Sequence, residues 1–120
     1  MIAGIPDKKI PFWVAHTYFD TLLAAGVNIY LYRKGFLHSK VLIVDDTIST
    51  VGSCNVDIRS FHLNYEINTV YYSRKITNEL KERFKTDLQF CIKINDTDRK
   101  KLNVLGRLRN SMFRIISPVL

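Results

Sequence analysis

From Phe12 to Ala25 the apolar residues Val14, Ala15, Tyr18, Phe19, Leu22 and Leu23 recur three and four positions apart, and Gly26 follows them. That spacing predicts an amphipathic helix closed by a glycine at its C-terminus. The pattern then changes period. Val27–Tyr32 is short, β-branched and aromatic, and Phe36–Val44 has the same character with polar residues at alternate places, so both read as strands. The Asp45–Asp46 pair predicts a turn into a further strand from about Ile48 to Val51, and Asn64–Tyr72 reads as another. From Thr77 to Phe90 the helical spacing returns through Leu80, Phe84 and Leu88.

A helix, several strands and a second helical region predict an α/β domain with a central mixed sheet flanked by helices. The first eleven residues carry two prolines and a glycine, which disfavour regular structure. At 120 residues the chain is expected to form a single domain, burying a little over ~60% of its unfolded surface. The stretch 99–116 places Leu102, Leu105, Leu108, Met112 and Ile115 three or four apart among six basic residues, a basic amphipathic segment. Gly106 weakens it as a helix by about 1 kcal/mol relative to alanine.

Composition adds a charge asymmetry. Residues 1–72 carry six basic and six acidic side chains while residues 73–120 carry twelve and five, so the net charge of +7 lies in the C-terminal part. Such an excess suits an anionic surface, either nucleic acid or acidic lipid headgroups. The two cysteines, Cys54 and Cys91, are too few for a disulfide framework and lack metal-ligand spacing, so both read as reduced thiols. No run approaches the roughly 20 apolar residues that span a bilayer, and the N-terminus lacks the regions of a signal peptide. The expected location is cytoplasmic or peripheral.

The candidate chemistry lies in HSKVLIVDDTISTVGSCN, from His38 to Asn55. On a strand, His38 and Lys40 share one face, with Ser39 opposite. An imidazole can attack phosphorus or move a proton near neutral pH, and a lysine places a point charge on phosphate oxygens. The apolar run from Val41 to Val44 predicts a strand buried on both faces that anchors the site in a rigid core. Beyond the turn, Gly52 allows close backbone approach, and Ser53 and Asn55 offer a hydroxyl and a carboxamide to phosphate oxygens. Nothing in this set suggests a metal site or a cofactor.

His38, Lys40, Asp45, Gly52, Ser53 and Asn55 fill every fixed position of H-x-K-x4-D-x6-G-S-x-N, and the chain thereby resembles the phospholipase D superfamily. The following VDIRSFHLNYEIN (Val56–Asn68), the approach AAGVNIYLYRKGFLHSK (Ala24–Lys40) and the terminal SPVL resemble the second, C-terminal catalytic half of bacterial cardiolipin synthases. The resemblance implies a phospholipase D-like fold, with His38, Lys40 and Asp45 as catalytic residues and Gly52, Ser53 and Asn55 around phosphate; for Asp45 a purely structural role in the turn stays equally open. It implies a metal-independent reaction through a phosphohistidine, with two motifs facing each other across one site. Glu66, eleven residues after Asn55, is expected by the same resemblance to hold a motif histidine by hydrogen bonding.

The implied reaction is phosphatidyl transfer between two phosphatidylglycerol molecules, giving cardiolipin and glycerol, at the cytoplasmic side of the cell membrane. The implied partners are phosphatidylglycerol, an anionic membrane surface and a second motif-bearing half, either a missing N-terminal half or a second copy. Nucleic acid is not the expected partner. Two other readings stay open: a homodimeric single-motif phosphodiesterase or nuclease, and an inactive truncated half that exposes the face meant for its other half. Other residues have plainer expectations. His16 should lie on the solvated side of the first helix and His62 in a loop, Cys54 fills a variable position, and Arg59 suits a surface salt bridge as well as a lipid phosphate.

Overall fold

A computed structural model describes residues 1–6 and 8–95. The basic segment 99–116 lies outside the described residues. The described residues divide into two compact units: Met1–Leu37 with Cys91–Asn95, and His38–Phe90.

In the first unit, the helical pattern after the two prolines forms two helices, α1 (Lys9–Thr17) and α2 (Phe19–Ala24). The single helix expected over Phe12–Ala25 is interrupted at Tyr18, whose backbone at φ −90° and ψ −12° caps one helix and opens the next. Thr17 Oγ1 donates to the Val14 carbonyl at 2.7 Å, drawing the last turn of α1 onto its own side chain. His16 is not on a solvated face. Its ring lies between Phe12 and Phe19, with centroids 4.2 and 4.4 Å away, and Nδ1 is 2.8 Å from the Phe12 carbonyl.

Gly26 closes α2 as expected. Its φ of +82° lets its N–H reach Leu23 O at 2.9 Å while the Val27 N–H reaches Leu22 O at 3.0 Å, which satisfies two of the helix's terminal carbonyls. The chain then forms β2 (Tyr30–Tyr32), which pairs in parallel with β1 (Ile2–Ala3) and antiparallel with β6 (Cys91–Lys93). The opening segment therefore supplies a strand despite its prolines, because Ile2 and Ala3 precede both of them. Among the described residues of this unit, Val14, Phe19 and Ile29 are the buried apolar ones.

The second unit is an antiparallel sheet of β3 (Lys40–Val44), β4 (Ile48–Gly52) and β5 (Asn68–Tyr72), with a short helix α3 (Ile58–His62) and a long helix α4 (Arg74–Leu88). The expected sheet is thus realised as two three-stranded sheets, of which the first is mixed. Helix α4 starts three residues earlier than its apolar spacing suggested because Ser73 caps it, accepting from the Ile76 N–H at 3.4 Å. Its Thr77 packs under the sheet, where Ser49 Oγ and Thr77 Oγ1 meet at 3.1 Å, both fully buried. An ion pair between Lys81 and Asp46 ties α4 to the β3–β4 turn.

Strand register assigns the two sheet faces. Ile43, Ser49 and Tyr71 are cross-strand partners on the face that α4 covers. Lys40, Leu42, Val44, Ile48, Val70 and Tyr72 lie on the other face. Leu42, Val44, Val70 and Tyr72 are exposed there, and Val41, on the same face as Ile43, is exposed as well. Burial of the Val41–Val44 run on both faces is therefore not found: β3 has only one strand neighbour, and α4 covers only one face. Among the described residues no helix is long and apolar enough to cross a membrane.

Candidate active site

Alternation along β3 places Lys40 at its first position and Val44 at its last, with Gly52 and Ile48 as their partners on β4. Everything after Gly52 therefore emerges beside Lys40. His38 lies two residues before β3, in an irregular approach and not on the strand, so strand alternation does not align it with Lys40. The ammonium of Lys40 folds back instead and donates to the His38 carbonyl at 2.7 Å. One hydrogen bond thus joins the two residues that the motif spacing brings together.

Gly52 is held in the middle of the sheet, opposite both Lys40 and Asn68. A Cβ at this position would sit 1.8 Å from Asn68 Oδ1, 2.3 Å from the Ile67 carbonyl and 2.6 Å from Asn68 Cα. The backbone of Ile67 and Asn68 thus stands where a side chain at 52 would lie, and the glycine lets the strands meet. Close passage of β5 sets the next contacts: the Ser53 N–H donates to Ile67 O at 2.9 Å and the Cys54 N–H to Asn68 Oδ1 at 3.4 Å.

Ser53 is the hub of this end. Its hydroxyl donates to Glu66 Oε2 at 2.5 Å and accepts from the Ile67 N–H at 3.0 Å. Glu66 Oε1 accepts from Asn64 Nδ2 at 3.1 Å, and Asn64 Oδ1 in turn accepts from Arg59 Nε at 3.3 Å. The Ser53 and Asn64 hydrogen bonds, helped by the nearby charge of Lys40, hold the Glu66 carboxyl below its ordinary range. The glutamate expected to serve a histidine is thus engaged with Ser53 and Asn64. Arg59 is spent on Asn64 and not on a surface carboxylate.

Two expectations change place. Asp45 occupies the β3–β4 turn in the left-handed region, at φ +54°, beyond Val44 and so at the opposite end of the hairpin from Lys40 and Gly52. Five strand residues put about 16 Å between the two ends. The structure does not bring Asp45 to the candidate site; its backbone conformation makes it a turn residue, one that aspartate tolerates better than most side chains. His62 is the last residue of α3 and not part of a loop. Asn55 is exposed on the segment that leaves β4, and its carbonyl accepts from Cys54 Sγ at 3.5 Å.

The sequence reading passed over Asn64, Asn68 and Asp57. Asp57 caps α3, accepting from the Ser60 N–H at 2.6 Å, and the D-x-x-S spacing was a signal for it. Asn68 carried no such signal, since its partner Cys54 is distant in sequence, and Asn64 bonds Arg59 and Glu66 at spacings that match no capping pattern. Among the described residues no group of three or more His, Cys, Asp or Glu could hold a metal ion.

An imidazole-bearing segment, a lysine and a serine–glutamate pair thus lie at one end of an antiparallel hairpin in an α/β fold. Residues 2–88 match the family described as cardiolipin synthase, PLD-like domain, and the chain belongs to that family. A cardiolipin synthase of Clostridium perfringens strain SM101 is 43% identical over all 120 residues, which cover 25% of that protein. Cardiolipin synthase 2 of Bacillus cereus is 43% identical over 115 residues, or 96% of this chain and 22% of the relative. A cardiolipin synthase of Geobacillus thermodenitrificans is 44% identical over 115 residues, 96% of this chain and 23% of the relative. The chain therefore spans about a quarter of the length of these curated relatives. No solved structure matches it.

Proposed function

We propose that this chain supplies one of two phosphoryl-transfer motifs for the reaction that joins two phosphatidylglycerol molecules into cardiolipin and releases glycerol. The observation that carries this reading is the meeting of Lys40, Ser53 and Glu66 beside the His38 segment, in a chain 43% identical to a cardiolipin synthase along its whole length.

Two steps balance the reaction. A histidine of the opposed motif attacks phosphorus through an imidazole nitrogen, the bond from phosphorus to the glycerol oxygen breaks, and protonated His38 delivers its proton to the departing glycerol. His38, now neutral, takes the proton of the incoming phosphatidylglycerol hydroxyl. That oxygen attacks phosphorus, the phosphorus–nitrogen bond breaks, and the first histidine is restored. Lys40, Ser53 and Asn55 stabilise the charge on the five-coordinate phosphorus, where losing one positioned donor costs about 3 kcal/mol of barrier. Glu66 fixes the Ser53 hydroxyl. The anionic membrane surface delivers the lipid, and no metal or cofactor takes part.

The test needs a complex carrying both motifs. His38→Ala there should lower cardiolipin formation by about 10²–10⁴-fold, the range of a lost acid/base. Incubation with phosphatidylglycerol should leave acid-labile phosphate on the opposed histidine and none on His38. Unchanged transfer by His38→Ala would sink the proposal.

A further inference from the structure

Both oxygens of the Glu66 carboxylate are taken by donors of the chain. Oε2 accepts from the Ser53 hydroxyl at 2.5 Å and Oε1 from Asn64 Nδ2 at 3.1 Å, while the charge of Lys40 acts on the same group. Two neutral donors and one cation thus converge on a single anion. Ser53 and Asn64 are exposed and Glu66 is half-exposed, so water could serve this carboxylate as well, and its solvation does not call for such a grip.

The two donors are held from behind, independently of Glu66. Arg59 Nε donates to Asn64 Oδ1 at 3.3 Å, which leaves the NH2 end of the amide facing the carboxylate. The Leu63 and Asn64 N–H groups donate to the Arg59 carbonyl at 2.8 and 3.1 Å and fix the backbone there. Ser53 is anchored through Ile67, whose carbonyl accepts from the Ser53 N–H at 2.9 Å and whose N–H donates to Ser53 Oγ at 3.0 Å. A serine hydroxyl has one proton, and the short bond to Glu66 takes it. Ser53 therefore gives a hydrogen bond to phosphate only when Glu66 lets go.

We propose, resting on the phosphate role given to this end under the proposed function, that the Glu66 carboxylate is a built-in stand-in for a phosphodiester. Its two oxygens occupy the seat of the two non-bridging phosphate oxygens, and Asn64 Nδ2 joins Ser53 and Lys40 in binding those oxygens once the Glu66 side chain turns away. A carboxylate and a phosphodiester each offer two acceptor oxygens that share one negative charge, so donors placed for one suit the other. The exchange leaves the backbone where it is: Ile67 stays bonded to Ser53, and Glu66 reaches water by rotating its side chain. Every ligand then competes with an acceptor already in place, which disfavours anions unable to accept from both donors.

The whole 120-residue chain is titrated with glycerophosphoglycerol, the deacylated form of phosphatidylglycerol, and followed by nuclear magnetic resonance at the Asn64 side-chain amide and the Glu66 carboxyl carbon. Both signals should shift saturably with one dissociation constant. Glu66→Ala should bind the diester on the order of tenfold more tightly, and adding Asn64→Ala should abolish that gain, because the vacated seat has lost a donor. Should Glu66→Ala not fold by circular dichroism, Glu66→Gln keeps the shape, and its weaker acceptor should also raise affinity. A gain that survives Asn64→Ala would overturn the proposal, since removal of charge alone would then account for it. So would binding that leaves the Asn64 amide unmoved, no gain in either Glu66 variant, or no binding at all. Turnover is not read here: a working seat in a chain that also carries His38→Ala stands even if the assigned transfer fails, and a failed seat leaves that transfer to the two-motif complex.

Discussion

Ser53 Oγ donates to Glu66 Oε2 at 2.5 Å, tying the residue that follows the motif glycine to a residue two positions before β5. Because this bond and the one from Asn64 favour the ionised carboxylate, the folded-state pKa of Glu66 lies below its ordinary 4.5. A carboxyl lowered on folding contributes stability that is whole above its unfolded value and fades as pH falls through the folded one. Glu66→Gln should therefore be less stable than the wild type above about pH 4.5, and the gap should close in more acidic solution. Urea midpoints of the two proteins across that range measure this; a constant gap would contradict it.

Gly52→Ala places a methyl group against the Ile67 carbonyl and Asn68 Cα, both of them backbone. Overpacking of this kind costs about 1–3 kcal/mol, and here it falls at the upper end because a strand must move. Removing the Asn68 side chain relieves only the contact with Oδ1. Asn68→Ala in the same chain should accordingly fail to restore the denaturant midpoint.

The buried hydroxyls of Ser49 and Thr77 satisfy each other across the interface of β4 and α4. Ser49→Ala or Thr77→Val leaves one of them without its partner inside the domain, at a cost of about 1–3 kcal/mol. The double variant removes both. Its destabilisation should be smaller than the sum of the two single ones, which a double-mutant cycle on unfolding free energies would reveal.

Asp45 at φ +54° holds a turn, so glycine should replace it with little loss of stability and valine should cost about 1–2 kcal/mol. In a complex with both motifs, Asp45→Gly should retain most of its phosphatidyl transfer under conditions where the variant is folded. A collapse of turnover to the level of His38→Ala, with the fold intact, would return Asp45 to the chemistry.

Much of the fold was legible. Helix α4 and the β3–β4 hairpin followed from period and turn chemistry, and Gly26 closed α2 because only local carbonyls are involved. What was missed depended on partners far along the chain or on caps that override apolar spacing. Ser73 starts α4 before its apolar stripe does, and β6 is a strand because β2 is there to receive it.

By itself, the sequence determined the candidate set: six residues at fixed offsets, a histidine, lysine and aspartate with a glycine, serine and asparagine, because local spacing along a hairpin is set by the chain. Only the tertiary structure divided those residues by role. It put Asp45 at the far end of the hairpin, since a five-residue strand separates the turn from Lys40, and gave Gly52 to the passage of β5. It also joined Asn64 and Glu66 to Ser53 by hydrogen bonds and left Phe61, Leu63 and Tyr65 exposed. Spacing cannot foresee that network, because the bond between Ser53 and Glu66 closes only once β5 lies beside β4.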